Sequence, residues 1–216
     1  LCLLIGDRIS TRYKDRGNTY MEVVDYVEKF ILQKKGNYIV FFPSYKYMEY
    51  VYNHFVERNP HINIIKQESE MDELEREDFL SKFNSNGNPI VAFAVLGGIF
   101  SEGIDLIGDK LIGAVIVGVG LPQICFERDI IRDYFNSENG LGYEYAYMYP
   151  GMNKVLQAAG RVIRSESDRG AILLIDDRFT TTKYRVLFPE EWMHFIRVSN
   201  PNAIVKYLNE FWNRRQ

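Results

Sequence analysis

Cysteine is scarce: Cys2 and Cys125 are the only two among 216 residues. So far apart in sequence, they form neither a disulfide framework nor a metal-ligand cluster. Each reads as a buried or incidental thiol, a usage that fits the cytoplasm. No uninterrupted apolar run approaches the roughly 20 residues that cross a bilayer. The apolar start, residues 1–5, stops at Gly6-Asp7-Arg8 without a basic leader or a small-residue cleavage site, so no secretory signal is expected. An excess of positive charge is missing as well, the formal net charge being −3. The chain as a whole is therefore no nucleic-acid magnet, although a local basic face can act under a mildly acidic total. Arg12, Lys14 and Arg16 form one such cluster, which reads equally as a solvated loop. Internal repeats and low-complexity stretches are absent, and so is any G-x-x-x-x-G-K-[ST] string, the backbone cradle and lysine that hold nucleotide phosphates. The chain begins at Leu1 rather than Met, which fits a piece of a longer protein.

What is present is an ordinary globular balance, 46% hydrophobic and 25% charged, enough for one domain with a full core. Helical periodicity over residues 19–35 ends at Gly36. The apolar run 38–42 reads as a buried strand, and Pro43-Ser44 opens a helix toward Arg58. Strands are predicted at 62–65, 90–95, 111–119, 145–148 and 171–175. Helices are predicted at 68–83, 124–135, 152–164 and 202–214. Short apolar strands separated by helices imply a single α/β domain over residues 1–216, a parallel sheet with helices on both faces. Functional loops of such sheets lie beyond the carboxyl ends of the strands.

Three constellations could carry chemistry. In Gln157-Ala158-Ala159-Gly160-Arg161-Val162-Ile163-Arg164, a helical period places Gln157, Gly160, Arg161 and Arg164 on one arc, the apolar residues taking the rest. Gly160 inside a helix costs about 1 kcal/mol relative to Ala, so close approach to the backbone is expected there. Forked guanidinium donors suit phosphate; the same arginines read as a solvated face that pairs with Glu166 or Asp168. The second constellation, residues 96–105, follows a strand and holds Gly97, Gly98 and Gly103 with the acceptors Glu102 and Asp105. Its glycines let backbone N–H groups face a phosphate or ribose, or simply turn the chain. The third is Pro43-Ser44-Tyr45, where Ser44 is an N-cap candidate at a helix start that could also hold phosphate. Asp72-Glu73-Leu74-Glu75 superficially resembles an ATPase acid pair but sits in a polar helix and reads as a solvated face.

Together and in this order, these segments resemble the C-terminal helicase domain of the XPD/DinG family of superfamily 2 DNA helicases. Pro43-Ser44-Tyr45 looks like motif IV, S-E-G-I-D (101–105) like motif V, and Q-A-A-G-R-V-I-R-S (157–165) like motif VI. Asp168-Arg169-Gly170 and Asp177-Arg178-Phe179 also fit the family pattern. The resemblance implies a RecA-like second motor domain that closes over ATP and Mg²⁺ held mainly by an N-terminal motor domain of the same chain. It implies 5′-to-3′ unwinding, with Arg161 and Arg164 as arginine fingers and Gln157 positioning the nucleotide-side network. Glu102, Gly103, Asp105 and Gly160 would face the nucleotide, and Ser44, Gly97 and Ser101 the phosphates of single-stranded DNA. The family's iron–sulfur cluster, where present, belongs to the other half; no residues here would ligate a metal, and no membrane partner is implied. A catalytically silent RecA-like module that grips a single strand or a protein is the competing reading. Where relatives continue with prolines after Gly120-Leu121-Pro122, this chain has Gln123-Ile124-Cys125-Phe126, leaving that loop's geometry open.

Overall fold

The computed structural model describes residues 1–83, 87–98, 100, 110–163 and 168–214. Its strands are β1 (Cys2–Gly6), β2 (Tyr38–Phe42), β3 (Ile64–Lys66), β4 (Val91–Val95), β5 (Gly113–Val117), β6 (Ala171–Ile175) and β7 (Ile196–Val198). They form one sheet in the order β3-β4-β2-β5-β6-β1-β7, and every pairing is parallel. The edge strands β3 and β7 have three residues each, which keeps the unpaired backbone short.

Successive strand side chains point to opposite faces, so each strand feeds two cores. Leu3, Ile5, Ile39, Phe41, Ile116 and Leu174 face one side, packed on Phe79 of α3 (Glu73–Ser81) and on Met152, Val155 and Ala158 of α5 (Tyr149–Ala159). Leu4, Val40, Phe42, Phe93, Val115 and Leu173 face the other. There they meet α1 (Arg16–Ile31), α2 (Tyr45–Arg58) and α7 (Pro201–Asn213). Phe93 is the hub of the second core, its ring 5.6 Å from Phe42 and 5.4 Å from Phe55. The single turn α6 (Thr182–Arg185) adds Tyr184 to the first core, whereas α4 (Phe126–Asn139) lies outside the sandwich and buries none of its residues. No helix is long and apolar enough to cross a membrane among the described residues.

Two local expectations are corrected. Residues 145–148 are not a strand: Glu144–Met148 is a π-helical turn that runs directly into α5. Tyrosines at 143, 145 and 147 mimic a two-residue alternation, yet Tyr145 stacks on Phe135 of α4, with centroids 3.9 Å apart, instead of joining the sheet. The π-turn also has a cause in Pro150, whose missing N–H cannot bond the carbonyl of Ala146; Arg128 donates to that carbonyl at 3.2 Å instead. The second correction concerns residues 152–164, predicted as one helix. The helix ends at Ala159 with Gly160 as its C-cap. Arg161 N–H bonds the carbonyl of Ala158 and Val162 N–H that of Ala159, the tighter i→i−3 pattern of a fraying end. Gly160 therefore carries no helix-interior penalty, and the helical arc drawn from Gln157 does not extend through Arg161.

Candidate nucleic-acid interface

Parallel pairing puts the carboxyl ends of β1, β2, β4, β5 and β6 on one rim. Ser44 caps α2 there with an extended backbone, and its Oγ accepts from Tyr47 N–H at 3.3 Å. The hydroxyl proton is left to donate, and no acid occupies the first turn of α2 to oppose an anion. At the end of β4, Gly97 has φ +74°, and a Cβ on it would lie 2.6 Å from the Lys154 Cε. Glycine is favoured there by the positive φ, and the stem of Lys154 from α5 lies across the loop. Gln67 stitches this corner: its side-chain oxygen accepts from Val95 N–H at 2.9 Å, and its amide donates to the Tyr45 hydroxyl at 2.8 Å.

The same rim carries a built charge network. Asp176, fully buried, accepts from Arg178 Nε at 2.7 Å, from Arg178 N–H at 2.9 Å, and from both the N–H and the hydroxyl of Thr11. Burial pushes the Asp176 carboxyl up, but the bonds and charge of Arg178, with help from Thr11, outweigh it and hold the group below its ordinary value. Burial likewise pulls Arg178 down, while its pairing with Asp176 leaves it above its usual value. Arg12 sits between Asp177, at 2.7 Å, and the Ser10 hydroxyl, at 3.0 Å. Arg16 donates to the carbonyl of Thr11 at 2.9 Å, with its guanidinium 4.9 Å from the Tyr47 ring centre. Two clefts open between these groups. One, of about 690 Å³, is bounded by Thr11, Arg12, Ser44, the 118–124 loop and Arg178. The other, of about 430 Å³, lies between the starts of α1 and α2, and Ser44 lines both.

The loop after β5 is pinned to α5 by two glycines. A Cβ on Gly120, at φ +66°, would lie 2.6 Å from the Gly151 carbonyl oxygen, and one on Gly151 would lie 2.6 Å from that of Val119. At its other end α5 exposes Gln157 and Gly160, with Arg161 half-buried in the following turn. Val162 meets Gly170 beside Ile112, the residues leading into β6 and β5, so this turn sits by the amino ends of those strands. Ser44 and Gly97 thus share the carboxyl rim, whereas Gly160 and Arg161 lie at the far end of α5. Ser101, Glu102, Gly103, Asp105 and Arg164 lie outside the described residues.

Several contributors were not singled out from sequence. Gln67 lies within the polar stretch Lys66-Gln67-Glu68-Ser69-Glu70 and gives no signal of its own. Lys154 lies three residues before Gln157 on the same helix, a spacing that could have flagged it. Asp176 follows an apolar strand directly, a legible position, and its partner Thr11 adjoins the basic cluster. Asp72 and Glu75 form a capping box at the start of α3, the structural use of that acidic run. Cys2 is buried, which pushes its thiol up to about 11, and Cys125 is exposed. No cluster of His, Cys, Asp and Glu is placed to hold a metal among the described residues.

Residues 27–195 match the family model described as the helicase C-terminal domain. The chain is 29% identical over 191 residues to the ATP-dependent DNA helicase XPD of Sulfolobus acidocaldarius, covering 84% of this chain and 32% of that protein. It is 25% identical to the 3′-5′ exonuclease DinG of Staphylococcus epidermidis, covering 92% of this chain and 21% of that one. A solved XPD helicase superposes with a TM-score of 0.73 at 25% identity, over 91% of this chain and 35% of that chain. The chain thus spans about a third or less of the length of these relatives. With the motif order, the all-parallel RecA-like sheet and a family match over most of its residues, the chain belongs to the helicase C-terminal domain family, with relatives of the XPD/DinG type.

Proposed function

We propose that this domain is the second motor domain of an ATP-dependent 5′-to-3′ DNA helicase. Single-stranded DNA would cross the carboxyl rim, its phosphates meeting Ser44, Gly97 and Ser101. ATP and Mg²⁺ would be held mainly by an N-terminal motor domain, with Arg161 and Arg164 reaching the phosphates as that domain closes and Gln157 positioning them. Glu102, Gly103 and Asp105 would join the nucleotide side to the strand side. Gly160 fits this role, since an exposed residue without a side chain lets a partner surface approach the backbone. When bound, ATP supplies the phosphoryl-transfer free energy; this domain's part is to place guanidinium groups where charge develops.

The observation that carries the reading is the position of α5. Its first turns touch both strand-side loops, through Gly151 on Gly120 and Lys154 on Gly97, and the turn that follows its end carries Arg161. One rigid element therefore spans the two surfaces that a motor must couple. The test is DNA-stimulated ATP turnover of the full-length protein with Arg161→Ala and Arg164→Ala. Arginine fingers are worth roughly 10³- to 10⁵-fold in turnover, and Arg→Lys should fail too, because a point charge does not reproduce the fork. Turnover within about threefold of wild type, roughly 0.65 kcal/mol on the barrier, would favour the silent binding module.

A further inference from the structure

The two clefts that share Ser44 differ in lining. Tyr13 and Arg16 also line both, but Tyr20, Tyr47 and Tyr50 belong to the smaller alone and make it the aromatic one, whereas the larger is completed by the 118–124 loop, Arg12 and Arg178. We propose that this smaller cleft is a stacking subsite for one unpaired base of the bound strand, continuing the strand's path outward from a phosphate at Ser44. The inference rests on the single-strand reading above.

Four features support it. The cavity, about 430 Å³, is within the range of small-ligand sites. The rings are already ordered for stacking: Tyr20 lies nearly parallel to His54 at 5.2 Å and to Tyr50 at 6.2 Å. Tyr13 and Tyr50 leave 83% and 51% of their surface open, a large aromatic exposure that the core does not use. Finally, Arg16 and Lys46 line the cleft and no carboxylate does, so its charge complements an anion beside a π-face. Arg16 is held in place by the Thr11 carbonyl and the faces of Tyr47 and Tyr13. A tyrosine wall with a fixed arginine beside it suits any base, since every base offers a π-face and stacking needs no hydrogen-bond code.

The experiment titrates the protein with short oligothymidylates carrying a single 2-aminopurine moved stepwise along the strand. Wild type should quench the fluorophore at one position. Tyr13→Ala and Tyr50→Ala should lose that quench and weaken binding by about fivefold or more, the low end for one stacked base. Tyr50→Phe should retain both. The salt dependence should stay as in wild type, because no phosphate contact is removed. Both rings are exposed, so circular-dichroism melts should match wild type. If wild type binds with salt dependence but both alanine variants stay within about twofold, with no quenching at any position, the subsite is refuted and the strand reading stands. If wild type binds no oligonucleotide, both fall. If the tyrosine variants weaken binding of ATP alone and leave the oligonucleotide untouched, the cleft takes a mononucleotide and the proposal is overturned.

Discussion

Replacing Asp176 with Ala should destabilise the fold by about 3–5 kcal/mol, the cost of stranding one member of a buried ion pair. The structure places this substitution at the severe end for three reasons. Asp176 has no exposed surface, and the Arg178 side chain keeps only 15% of its own, so water cannot replace the lost carboxylate. Five donor groups converge on the two oxygens: Arg178 Nε, Nη2 and backbone N–H, and the Thr11 N–H and hydroxyl. The bonds also join residues 165 apart, tying the segment after β1 to the end of β6. Urea unfolding followed by circular dichroism measures the loss, and melting should fall by roughly 6–20 °C at 2–4 °C per kcal/mol. Asp176→Asn keeps an acceptor for Thr11 while removing the charge and should fall between wild type and Asp176→Ala. The pH dependence has a definite sign. Because the native carboxyl is held below its ordinary value, its stabilisation is complete above the unfolded value of about 4 and is lost as pH falls through the lower native one. The wild-type advantage over Asp176→Asn should therefore shrink only below about pH 4. A loss under 1 kcal/mol for Asp176→Ala, or an advantage that disappears already at neutral pH, would refute the reasoning.

Phe93→Ala removes the ring that Phe42 and Phe55 pack against and should cost about 3–5 kcal/mol in urea unfolding. Gly120→Ala forces a side chain into a positive φ and onto the Gly151 carbonyl; it should cost at least about 1 kcal/mol, read as an earlier thermal transition. Ser44→Ala deletes the cap of α2 and should cost about 0.5–2 kcal/mol of stability, while titrations with single-stranded oligonucleotide should show weaker binding at every sequence.

The sheet was legible at most strands buried on both faces, although β1, an equally buried apolar run, was read only as an apolar chain start. Residues 38–42, 90–95 and 171–175 are continuous apolar runs, and the structure places β2, β4 and β6 there within a residue. β7 escaped because three residues with Arg197 in the middle carry no period. Residues 145–148 misled because spaced tyrosines look like a half-buried strand, and only the packing of Tyr145 on Phe135 shows that these rings serve a helix–helix contact. Ser44 was legible as a cap because its role is local: one hydroxyl and one N–H three residues on. The Asp176–Thr11 bond was not, since the partners meet only when β1 pairs with β6. The end of α5 shows the same limit from the other side: a helical period was projected through Gly160, and the chain stops the helix at that glycine.

That stop bears on how the motor surfaces are separated. An uninterrupted helix to residue 164 would have carried both arginines along one straight axis, on the arc that begins at Gln157. Ending at Ala159 instead, α5 is an 11-residue rod, about 16 Å long at 1.5 Å per residue, clamped near its start and followed by a tighter turn. The clamp is the Gly120–Gly151 contact, backbone on backbone with no room for a side chain, so the start of α5 cannot slide against the loop after β5 without a clash. Packed cores and interfaces shift between discrete arrangements rather than deforming smoothly. A displacement of the rim loops by a bound strand would accordingly move α5 as a body and carry the Arg161 turn with it. On the proposed reading, the physical warrant for coupling would be a shared rigid element rather than proximity, since Gly97 and Arg161 lie toward opposite ends of that helix.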